Sequence, residues 1–69
     1  EVTLTNARRL WYWKGAASLS QLAIEGVKNP DECKFAMPLD EIVVLGVIEI
    51  IPATNFAKNV ISEVPVWKK

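Results

Sequence analysis

The sequence predicts a small α+β domain: a short, strongly bent antiparallel sheet, or a partly open Sm-like or SH3-like barrel, with two short helices. Three observations carry this reading. The chain opens on alternating apolar and polar residues, the mark of a half-buried strand. One segment has both a helix start and a helix stop. A long run of β-branched residues, EIVVLGVIEII from Glu41 to Ile51, holds a glycine at its middle.

In chain order, Val2 and Leu4 alternate with Thr3 and Thr5, and Asn6-Ala7 turns or bulges that first strand. Alternation resumes from Arg8 to Lys14, with Leu10 and Tyr12 on one side and Arg9, Trp11 and Trp13 on the other. Lys14-Gly15 ends it. Ser18-Leu19-Ser20-Gln21 is a capping box, in which the Ser18 hydroxyl accepts from the third helical N–H and Gln21 reaches back to the Ser18 N–H. Leu19, Leu22, Ala23 and Val27 share one face of the helix, and Gly26 closes it in a left-handed conformation. Lys28 to Glu32 is turn chemistry around Pro30. Lys34 to Met37 is a short strand ended by Pro38. The run from Glu41 to Ile51 reads as one strand bent at Gly46, because glycine inside such a run marks a bulge or sharp bend. Thr54 or Asn55 caps a second helix, with Phe56, Ala57, Val60 and Ile61 as its apolar face. Val64 to Trp67 is extended, and Pro65 restricts it to an edge or a docking arm.

With 69 residues there is one domain, residues 1–69. A chain of this size buries only about 60% of its unfolded surface, so its core is marginal. Disulfides, a metal or oligomerisation are the usual supports. Cys33 is the only cysteine and there is no histidine, so an intrachain disulfide and a zinc site are both out of reach. At 51% hydrophobic content the chain is expected to be a homo-oligomer or to cover a protein partner. Eight basic residues balance eight acidic ones, which gives no long-range pull toward phosphate or anionic membranes. Glu41, Glu49 and Pro52 interrupt the longest apolar stretches, so no membrane span is expected. The lone thiol fits a reducing compartment, and the cytoplasm is the expected location.

Little in the chain points to catalysis. Without histidine there is no hydrolytic triad. Cys33 beside Lys34 reads as a buried structural thiol, and Asp31-Glu32 and Asp40-Glu41 read as solvated carboxylates rather than a calcium loop. No catalytic, metal or cofactor residue is assigned. The stretch RRLWYWK, residues 8–14, is the one candidate binding surface: Arg8, Arg9, Trp11, Trp13 and Lys14. In one reading the cations meet phosphates and an aromatic ring stacks on a base. In the other, favoured with a net charge of zero, the aromatics fill the core or face a partner subunit while Arg planes cover Trp edges. The domain is then a non-catalytic interaction or assembly module. Nucleotide or single-stranded nucleic-acid binding is the alternative.

The motif EVTLTNARRLWYW-x-GAASLSQLA-x-EG, with CKF at 33–35, EI at 41–42, IEIIP at 48–52 and a closing VxVWK, resembles a family of small uncharacterised proteins of tailed phages and prophages. The resemblance covers essentially the whole chain. It implies the cytoplasm of a bacterial host, and an upstream strand carrying a Ser-Ala-Gly-Val stretch that this sequence lacks. A looser architectural analogy, to Sm-like and SH3-like barrels, adds a tendency to form rings but carries no function.

Overall fold

A computed structural model describes residues 1–69. Strands and helices alternate as β1 (Val2–Ala7), β2 (Leu10–Tyr12), α1 (Leu19–Glu25), β3 (Lys34–Phe35), β4 (Leu39–Val44) and α2 (Asn55–Glu63), with a single 3-10 turn at Pro30–Glu32. The α+β class is as expected, and there is no closed barrel. The strands form two separate antiparallel pairs, β1 with β4 and β2 with β3.

The helices begin where the sequence says they should. Ser18 Oγ accepts from the Gln21 N–H at 3.1 Å. The reciprocal bond lands one residue early, with the Ala17 N–H donating to Gln21 Oε1 at 2.7 Å. Thr54 joins the two helices end to end. Its N–H donates to Ala23 O at 2.9 Å, its hydroxyl donates to Ile24 O at 2.6 Å, and the same oxygen accepts from the Ala57 N–H at 3.0 Å. One threonine thus satisfies two closing carbonyls of α1 and an opening amide of α2. Gly26 ends α1 at φ 73°, and a Cβ there would stand 2.7 Å from the Val60 side chain, so glycine also permits the close crossing of α2.

One core lies between these helices, β2, β3 and the C-terminal arm. Leu22, Val27, Cys33, Phe35 and Val64 form it, with Leu10, Trp13, Ala16, Val60 and Ile61 packed around. The arm is held in place by a parallel bridge from Val66 to Phe35 and by the Trp67 N–H donating to Phe35 O at 2.9 Å. Two expected helix-face residues lie outside: Leu19 is 47% and Phe56 65% exposed, each in the first turn of its helix.

The long strand from Glu41 to Ile51 is corrected. Pairing stops at Val44, which stands opposite Val2, the first residue of β1. Beyond it β4 has no neighbour, and residues 45–51 run as irregular chain. The chain does bend at Leu45-Gly46, but only after pairing has ended, so no sheet follows the bend; Gly46 does not take a positive φ, and a side chain there would meet open space. Within the ribbon, Asn6 is the one non-glycine residue with positive φ, at 50°.

Candidate functional site

The stretch from Arg8 to Lys14 is divided among different tasks. Arg8 turns inward. Its Nε donates to Ala36 O at 2.8 Å, one Nη donates to Ile61 O and to Val64 O at 2.8 Å each, and the other donates to Phe35 O at 3.1 Å. The guanidinium also lies 5.6 Å from the centre of the Phe35 ring. Those carbonyls belong to β3 and to the last turn of α2, where helix ends leave oxygens unpartnered and favour a cation. Burial pulls the Arg8 pKa below its ordinary value. The planar fork suits this task, which an ammonium cannot copy. Four acceptors occupy the guanidinium, so Arg8 is a clamp.

Trp13 is half-buried against the core, while Trp11 is 72% exposed. Strict alternation would place them together. A bulge separates them: β2 uses three residues, Leu10 to Tyr12, where β3 uses two, Lys34 and Phe35. The extra residue flips the alternation, so Leu10 and Trp13 both reach the core. Arg9 is exposed, and its carbonyl accepts from the Ala36 N–H at 2.9 Å. Lys14 pairs with Glu32 at 3.1 Å, and that hydrogen bond raises its pKa.

What remains on the surface is an aromatic platform. Trp11 stacks on Trp67 with ring centres 6.2 Å apart and planes within 11°, and Lys34 Nζ lies 5.6 Å from the Trp67 ring centre. The structure therefore adds Trp67 and Lys34 to Trp11, and separates Arg8, Trp13 and Lys14 from it. The closing VxVWK held a signal for Trp67, but only the return of the arm to β3 joins it to Trp11.

A second surface lies on the β1–β4 ribbon. Val2 faces Val44 and Leu4 faces Ile42 across the pair, making one apolar side. Val2, Leu4 and Val44 line an open groove with residues 46–51, 7 of whose 9 lining residues are hydrophobic. Ile48 is fully exposed, Leu45 76% and Ile50 70%. Hydrogen bonds of the ribbon run only between its own strands, and no other strand or helix comes within 8 Å of either strand, Cα to Cα. Cys33 is buried and its sulfur accepts from the Lys14 N–H at 3.4 Å, as a structural thiol would.

No helix is long and apolar enough to cross a membrane. No curated protein and no solved structure matches the chain. Residues 1–61, which include the ribbon, Arg8, Trp11 and nearly all of α2, match the sequence model of one family, and the chain belongs to it: Domain of unknown function (DUF6948).

Proposed function

We propose that this domain is a non-catalytic assembly module that associates with further copies of itself through the ribbon and residues 45–51. One observation carries the reading. The chain exposes 5366 Å², whereas a compact monomer of 7.7 kDa exposes roughly 4,300 Å². The excess, about 1,000 Å², is close to the roughly 800 Å² that each partner contributes to a standard interface. The ribbon and residues 45–51 contribute to it with Leu4, Val43, Leu45, Ile48 and Ile50, all exposed. On this reading the setting is the cytoplasm of a bacterial host, as the resemblance to phage and prophage proteins implies. Light scattering across a micromolar concentration series tests the idea: a dimer or larger closed assembly is expected. A monodisperse monomer that unfolds cooperatively at those concentrations overturns it.

The aromatic platform supports a second reading, binding of a nucleotide or single-stranded nucleic acid. Trp11 offers an exposed ring already stacked on Trp67, with Lys34 beside it and Lys68 and Lys69 following in the chain. Base stacking on such a ring contributes about 1–3 kcal/mol per base. Retention on immobilised single-stranded DNA that falls with salt and is lost in Trp11→Ala would favour this reading; no retention at low salt removes it.

A further inference from the structure

Building on the self-assembly reading, we infer that the seam between two copies is the outer edge of β1, paired antiparallel with β1 of the second copy about a two-fold axis through Thr3. The sheet then runs β4–β1–β1′–β4′.

Three features select this edge. First, both outer edges of the ribbon are open, since β1 and β4 bond only to each other. A two-stranded ribbon is marginal alone, and a third and fourth strand supply what it lacks. Second, the two edges differ in protection. From Val2 to Ala7 β1 carries no charge and no proline, whereas β4 carries Asp40 and Glu41 side by side. Charges on an edge strand are what keep it from pairing. Third, the register is constrained. A two-fold axis normal to the sheet keeps each face on its own side, so the apolar side of one ribbon continues into that of the other only if the axis passes through a residue. Centred on Leu4, the pairing would bring in Asn6, whose φ of 50° takes it out of extended geometry. Centred on Thr3, it sets Thr3 against Thr3′ and Val2 against Leu4′, and uses only regular strand. Symmetry agrees, because an isologous contact uses the same edge on both copies and closes at two.

The test is cysteine cross-linking of the full chain under mild oxidation, with the wild-type protein and its buried Cys33 as blank. Directly opposed residues in an antiparallel pair have Cα atoms about 4.5–5.5 Å apart, within disulfide range. Thr5, two residues from the axis, lies about 14 Å from its mate along the strands. Thr3→Cys is therefore expected to give a covalent dimer, and Thr5→Cys and Val43→Cys are not. In parallel, Thr3→Lys opposes two like charges at the axis and should weaken self-association by about 100-fold or more. Thr3 is exposed, so neither substitution touches the core. A wild-type dimer that links through Val43→Cys moves the seam to β4 and overturns the inference. A dimer that links through none of the three overturns it too, by showing that faces meet rather than edges, and leaves self-assembly standing. A wild-type monomer sinks both.

Discussion

Phe35 and Leu4 are both large apolar side chains on short strands, yet Phe35 is fully buried and Leu4 keeps 44% of its surface in water. The contrast extends to the regions around them. Residues 8–36 and 53–67 hold each other at every turn: Thr54 joins helix to helix, Arg8 joins β3 to the end of α2, and the arm returns to Phe35. Residues 2–7 and 39–44 hold only each other. A sheet needs a layer against its apolar side, and a chain this short makes only one such core. The ribbon has the composition of a core element and the surroundings of a surface one.

Breaking the clamp should have the largest effect. Arg8→Ala strands four carbonyls at the junction of β3, α2 and the arm. A loss of about 3 kcal/mol or more is expected from bonds to a charged group, against a total stability on the order of 3–10 kcal/mol for a domain of this length. Urea denaturation at low protein concentration measures it. Arg8→Lys should recover only part, because an ammonium lacks the fork. Stability within about 1 kcal/mol of wild type in Arg8→Ala would mean that water replaces the guanidinium without penalty.

The two tryptophans divide the regions at closer range. Trp13→Ala should cost about 3 kcal/mol as a core truncation, and Trp11→Ala about 1 kcal/mol or less, since only its stack on Trp67 is lost. Equal losses would show that the bulge in β2 does not separate them. Two glycines come next. Gly26→Ala should cost about 1–3 kcal/mol, from backbone strain and the Val60 contact. Gly46→Val should stay within about 0.5 kcal/mol, as an exposed change with room for its side chain. A large effect at Gly46 would reinstate a bent strand there. The smallest folding effect belongs to the ribbon's flank: Ile48→Ser with Ile50→Ser should leave the denaturation midpoint of the monomer unmoved while loosening self-association in light scattering. If the double variant instead destabilises the monomer, residues 45–51 already have a layer to pack on.

The local elements were legible because their causes are local. Ser18, Gly26 and Thr54 act within a few residues of themselves, so cap, stop and second cap could be placed from sequence, whereas the turn or bulge expected at Asn6-Ala7 is absent and β1 runs through to Ala7 without a register shift. What failed depends on distant partners. Residues 47–51 have the propensity of a strand, but propensity does not supply a neighbour, and β1 reaches only as far as Val44. RRLWYWK was legible as the unusual stretch, not as a division of labour. The partners of Arg8 lie 27 to 56 residues away. The bulge that separates Trp11 from Trp13 depends on a two-residue strand that comes much later in the chain.

The Arg8–Val64 bond also has a consequence for the order of events during synthesis. It spans 56 residues, so the core cannot close until Val64 has been made. The ribbon is subject to no such delay: its pairing is complete once Val44 has emerged, about a third of the chain earlier. Throughout that interval a growing chain presents its uncharged β1 edge with no finished body behind it, and neighbouring ribosomes on one message carry the same edge in the same state. If the β1 edge is the seam, as proposed above, it is open to pairing before the core has formed.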